Sequence, residues 1–161
     1  MSKIKGAAVV STMEYVMYEK GKRTYKRVLG RLKPHQQKIF QKRMDDSDWV
    51  ELDDFIDFNK AIVREVYNGD KAKLEELGAE SAEYGFNSIL KFFIKLGSVS
   101  FLINKSTAAF SGYHQSGRMI LADKKKKSAK IVVVDLPDRD DVIALRIKGF
   151  IGRIIKLVGK E

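Results

Sequence analysis

The stretch from Phe86 to Arg118 constrains this chain most, because it joins the clearest helical pattern to the most unusual polar cluster. Phe86, Ile89, Leu90, Phe93 and Ile94 recur at the spacing of one helix face, which predicts a buried helix. Gly97 breaks the pattern, Ser98 stands where an N-cap belongs, and Val99, Leu102, Ile103 and Phe110 begin a second apolar face. Tyr113-His114-Gln115-Ser116-Gly117-Arg118 follows and opens into an alternating, strand-like run. Tyr113, Ser116 and Arg118 are therefore candidate ligand-binding residues: Arg118 offers a forked donor to a carboxylate or phosphate, and the two hydroxyls add hydrogen bonds. The competing reading makes Ser116-Gly117 a turn, packs Tyr113 on the sheet and leaves Arg118 on a wet strand face. His114 reads as a surface residue.

Upstream, Ile4 to Val10 is a short apolar lead, and Ser11 with Glu14 has capping-box spacing, so a helix is expected to start there with Met13, Val16 and Met17 inward. Gly21 interrupts before a helix whose stripe is Tyr25, Val28, Leu29 and Leu32. Pro34 suits the first turn of the next helix, with Ile39, Phe40 and Met44 inward. Asp45, Asp46 and Asp48 lead through Trp49 into a helix with Leu52, Phe55, Ile56, Ile62, Val63 and Val66 on one side, and Asn59 falls in that stripe as a satisfied core amide. Asn68-Gly69-Asp70 marks a turn and a new N-cap. Lys71 to Leu96 then reads as one broken helix or two stacked ones, in which Gly78, Ser81 and Gly85 suggest close helix approach. Met119 to Ala122 and Ala129 to Leu136 read as strands of a hairpin joined by Asp123 to Ser128, which places Lys124 to Lys127 on an exposed turn. After Pro137, Ile143, Ile147, Phe150, Ile151, Ile154 and Val158 recur at helical spacing, although Gly149 and Gly152 each weaken a helix by about 1 kcal/mol relative to Ala.

Charge is segregated along the chain. Lys20 to Arg43 carries ten Lys or Arg and no acid, which accounts for the net charge of +10, whereas Asp45 to Glu83 carries thirteen acids against four bases. Lys22, Arg23, Lys26, Arg27 and Arg31 stand opposite the apolar stripe of their helix and form a basic surface suited to an acidic partner. Nucleic acid is the alternative partner of segment 20–43, and its binding would weaken steeply with salt.

Chemistry has few carriers. There is no cysteine, the two histidines are far apart, and neither has a neighbour at metal-ligand spacing, so no metal is expected. The aspartates from Asp45 to Asp57 lack the glycine and closing glutamate of a calcium loop. No Gly-x-Ser-x-Gly elbow or complete P-loop is present, so a non-catalytic protein is expected. No window approaches a membrane span and the N-terminus has no secretory core, which leads us to expect a cytoplasmic protein.

Ile4-Lys5-Gly6, the helix after Ser11, the long central helices and Tyr113 to Leu121 leading into a hairpin and helix together resemble a bacterial domain family. That family has no known function, is abundant in myxobacteria and is related to the heme-NO-binding fold. The resemblance implies an α+β single domain over residues 1–161, mostly helical, with N-terminal helices packed on a small antiparallel β-hairpin and a C-terminal helix. It implies a regulatory or signalling module that senses a small apolar or anionic ligand, in a pocket lined from Phe86 to Phe110, or acts as a protein-interaction adaptor. The heme sensors related to it ligate iron through a histidine on the helix before the hairpin, at a position near Ser100 here, and hold the propionates with Tyr-x-Ser-x-Arg. This chain has no histidine from Gln37 to Gly112 and has one extra residue between Tyr113 and Ser116. No histidine-ligated heme, and no other cofactor, is expected.

A lone hairpin leaves ladder groups open at both edges, and Ile131 to Val134 is apolar on both faces. Ile4 to Val10 is the available third strand; if it does not pair there, a second subunit covers the sheet, through sheet pairing or helix packing over Phe150, Ile154 and Val158 in a two-fold arrangement. A homodimer at micromolar concentration is therefore expected. Sedimentation equilibrium should give twice the 18.3 kDa chain mass, and a single species at the chain mass at high micromolar concentration would exclude the dimer.

Overall fold

The computed structural model describes residues 2–85 and 99–158, so the helix expected from Phe86 to Ile94 lies outside the described residues. The architecture is α+β and mainly helical. Strand β1 (Lys3–Lys5) leads directly into α1 (Gly6–Tyr15), which continues through a π-helical turn (Val16–Lys20) to α2 (Lys22–Gly30) and α3 (Pro34–Gln41). Strand β2 (Trp49–Glu51) precedes α4 (Leu52–Val66) and α5 (Lys73–Gly85), and α6 (Val99–Tyr113) precedes β3 (Arg118–Lys124) and β4 (Ala129–Val134). A 3₁₀ turn (Arg139–Asp141) introduces α7 (Val142–Val158).

The N-terminal segment departs from expectation. Ile4 pairs with Val50 in a two-stranded antiparallel sheet, and α1 starts at Gly6, five residues before Ser11. The cause is tertiary: the Asp46 and Asp48 carbonyls accept the Ala7 and Gly6 N–H groups at 3.1 and 2.7 Å, capping the helix from outside its own sequence. A Cβ at Gly6 would collide with the Asp45 carbonyl, so the close approach requires glycine. Ser11 is consequently inside the helix, and its Oγ donates back to the Ala8 carbonyl at 3.0 Å instead of capping. Trp49 likewise belongs to a strand and not to a helix start. Because β1 joins β2, it does not extend the β3–β4 hairpin, which is two-stranded among the described residues, with a bulge between Leu121 and Asp123.

Elsewhere the apolar periodicities hold. Tyr25, Val28 and Leu29 of α2 are buried, while Lys22, Arg23, Lys26, Arg27 and Arg31 are exposed. The Tyr25 hydroxyl donates to the Phe40 carbonyl at 2.5 Å, and the Phe40 ring stacks on Phe58 of α4 with centroids 4.2 Å apart. The basic surface is partly neutralised, since Arg27 and Arg31 both pair with Glu65. Asn68 and Gly69 take positive φ values in the turn between α4 and α5, and Asp70 Oδ1 accepts the Ala72 N–H at 3.1 Å. Asp138 caps α7 by accepting the Ile143 and Ala144 N–H groups, each at 2.8 Å.

Helices α5 and α7 cross at their glycines. A Cβ on Gly78 would strike the backbone of Arg146, and one on Gly149 would strike the Glu75 carbonyl. Glycine in α7 therefore lowers local helix propensity to gain a backbone-close crossing, which Arg153 flanks with ion pairs to Glu80 and Glu83. Gly152 has no such role, because a methyl group there would meet nothing within 4 Å among the described residues. Gly149→Ala should accordingly destabilise by at least about 1–3 kcal/mol through overpacking. Gly152→Ala should stabilise by up to about 1 kcal/mol. Urea titration of both variants checks this, and equal effects would contradict the crossing.

Candidate ligand-binding site

Between α1, α6 and α7 lies a cavity of about 530 Å³. Its size arises from small side chains: α1 contributes Ala7, Ala8 and Ser11, and α6 contributes Ala108 and Ala109. Larger apolar residues, among them Phe110, Ile143, Ile147 and Ile154, make the lining almost wholly hydrocarbon among the described residues. Besides the exposed Lys105, two buried nitrogen-bearing side chains interrupt it.

The first is Arg146 of α7, only 7% exposed. Nη1 donates to Asn59 Oδ1 at 2.7 Å, Nη2 donates to Thr12 Oγ1 at 2.8 Å, and the guanidinium lies 5.0 Å from the centroid of the Phe55 ring. Both acceptors are themselves fixed, because Asn59 Nδ2 donates to the Phe55 carbonyl at 2.7 Å and Thr12 Oγ1 to the Ala8 carbonyl at 2.8 Å. Three helices thus aim one cation. Among the described residues no carboxylate pairs with it. Burial pulls its pKa down to about 9, which leaves it charged at neutral pH.

The second is His114, 8% exposed, at the end of α6. An isolated bridge to Ile4 and the stacking of its ring on Phe110, with centroids 4.2 Å apart, turn the imidazole inward. Nδ1 lies 3.3 Å from the Phe110 carbonyl, so the tautomer with hydrogen on Nδ1 makes that bond and leaves Nε2 as an acceptor. Nε2 is buried with no hydrogen-bond partner among the described residues. Burial, together with the nearby Arg146 charge, lowers the His114 pKa from its ordinary 6.5 to about 4.

Of the residues singled out in the sequence, Tyr113 reaches this cavity and is half-buried, with its phenol pKa raised by burial. Ser116 sits in the bend that follows, whereas Arg118 points away and pairs with Asp135 at 3.0 Å, each side chain 70% exposed. The trio does not converge, so the propionate anchor implied by the heme-sensor resemblance is not assembled. The expectation that His114 is a surface residue is corrected: α6 runs through Tyr113, and the bridge to Ile4 closes over the ring. Arg146 and Thr12 were not anticipated. Arg146 lies three residues after Ile143 and four before Phe150, so a cation inside an apolar stripe was the available signal. Asn59 is a satisfied core amide, as its place in the stripe suggested, and it also positions the arginine.

No family model matches the chain, and no curated protein or solved structure matches it either. Among the described residues, no group of three His, Cys, Asp or Glu side chains could hold a metal ion, and no helix is long and apolar enough to cross a membrane.

Because the folded state holds His114 neutral, it binds fewer protons than the unfolded chain between pH 6.5 and about 4. The contribution is fully present above pH 6.5 and is lost as the pH falls through that window, on the order of 3 kcal/mol in all. Urea unfolding from pH 7 to 4 should show this loss and His114→Leu should flatten it. An unchanged pH slope in the variant would contradict a buried neutral imidazole.

Proposed function

We propose that this chain is a non-catalytic sensing module that encloses a small ligand in the cavity between α1, α6 and α7. One observation carries the reading: a fixed, buried guanidinium without a carboxylate partner among the described residues borders an apolar space of about 530 Å³. Small-molecule sites typically combine about 300–1,000 Å³ of mostly apolar volume with a few placed polar groups. The resemblance to heme-NO-binding-like regulatory domains supports the same function by analogy alone. The cavity shares α1 and α7 with the rest of the helical core, so occupancy can bias how those helices pack, which is what a sensor requires.

The basic surface supports the nucleic-acid alternative less well. Two of its five cations, Arg27 and Arg31, are engaged by Glu65. Lys22, Arg23 and Lys26 remain exposed for an acidic partner.

The apolar anionic dye 8-anilinonaphthalene-1-sulfonate should bind the folded protein at one site with enhanced fluorescence. Ile151→Trp, which places a larger side chain in the cavity wall, should abolish that binding while leaving the circular dichroism spectrum intact. Undiminished binding by a folded Ile151→Trp variant would show that the dye, and the function, lie elsewhere.

A further inference from the structure

We infer that the cavity takes an amphipathic monocarboxylate, an acyl chain along the apolar wall with its carboxylate on Arg146 beside His114. This rests on the reading of the cavity as a ligand site and names what it selects.

The wall sets one half of the chemistry. Alanines from α1 and α6 face isoleucines of α7 across the cavity, a surface suited to a flexible hydrocarbon that offers almost nothing to a polar ligand body. The head-group end sets the other half. Arg146 carries five N–H donors, of which one goes to Asn59 and one to Thr12, both neutral acceptors. A buried cation is costly when no anion faces it, and a carboxylate supplies both the charge and two oxygens matched to the guanidinium fork. An uncharged alcohol meets neither need, and an amine adds a second cation to the first.

His114 supplies the second, independent observation. Its Nε2 is buried and unpartnered among the described residues, and the His114 residue borders the same cavity. In the tautomer fixed by Phe110 this nitrogen accepts, so it lacks a hydrogen that a bare carboxylate does not bring. The charge balance supplies it: a carboxylate between the two side chains offsets both the burial and the Arg146 charge that disfavour imidazolium, Nε2 takes one proton from solvent, and it then donates to the second carboxylate oxygen. Among the described residues, the titratable and charged groups lining the space are Lys105, Tyr113 and His114 on α6 and the residue after it, and Arg146 on α7. The residues contributed by β1, α1, α4, α5 and β3 carry none.

The test uses the full chain and three ligands of equal chain length, laurate, dodecanol and dodecylamine, titrated calorimetrically at pH 7. Laurate should bind at least about tenfold tighter than dodecanol, the size expected of one charge-assisted hydrogen-bonded pair, and dodecylamine should bind weakest. Repeating the laurate titration in buffers of different ionisation enthalpy should show uptake of about one proton, lost in His114→Phe. Arg146→Met should bring laurate down to the dodecanol affinity and leave dodecanol unchanged; should that variant fail to fold, the three-ligand ranking on the unaltered chain still decides. Equal affinity for laurate and dodecanol would overturn the carboxylate assignment while leaving the cavity as a ligand site. Binding of none of the three would overturn both. A stoichiometric Soret spectrum after addition of hemin, lost in His114→Ala, would also overturn the assignment.

Discussion

A buried arginine with no carboxylate partner among the described residues is the constraint around which this structure is arranged. Arg146 reaches its position because α7 lies against α5 closely enough that Gly78 has no room for a side chain beside the Arg146 backbone. From there the guanidinium ties α7 to α4 through Asn59 and to α1 through Thr12, residues separated from it by 87 and 134 positions. Removing a cation from water costs several kcal/mol, on the order of a whole domain's stability margin, and neutral hydrogen bonds recover only part of it. The protein therefore holds a desolvated charge that an anion would stabilise.

The cavity depends on the same packing. Helix α1 can start at Gly6 because the carbonyls of Asp46 and Asp48 cap it, and this early start brings Ala7, Ala8 and Ser11 onto helical positions facing α6 and α7. Had the helix begun at Ser11, the residues before it would lie in extended chain. The bridge from Ile4 to His114 comes from the same segment, so one tertiary cap places both the alanine wall and the imidazole.

Much of this was legible in the sequence where local and tertiary preferences agree. The stripes of α2 and α4, the break at Gly21 and the turn at Asn68-Gly69 all follow side-chain periodicity and backbone freedom, and the structure keeps them. The hairpin was equally visible in the run Ile131-Val132-Val133-Val134. What could not be read locally depends on distant partners. Ser11 looks like a cap but sits mid-helix, since its competitors are backbone carbonyls of the distant segment 45–48. His114 looked exposed within a polar hexapeptide, yet Ile4 and Phe110 enclose it. Arg146 was concealed differently: a cation between Ile143 and Phe150 passes for a helix-flank residue until its acceptors on two other helices are known. The phenol of Tyr113 made it a candidate and the residue reaches the site, whereas Arg118, the candidate anion receptor, is turned toward Asp135.

If Arg146 receives an anion inside the fold, as proposed, the ionisation state of a bound carboxyl group reports on it directly. Laurate labelled with carbon-13 at its carboxyl carbon gives a resonance that separates the acid from the carboxylate. Burial in hydrocarbon alone raises a carboxyl pKa, whereas a guanidinium partner lowers it. With Arg146 in contact, the bound resonance should stay at the carboxylate position at pH 7 and remain there as the pH is lowered through the range in which free laurate protonates. A bound carboxyl that is already neutral at pH 7, or that protonates at higher pH than free laurate, would contradict the account.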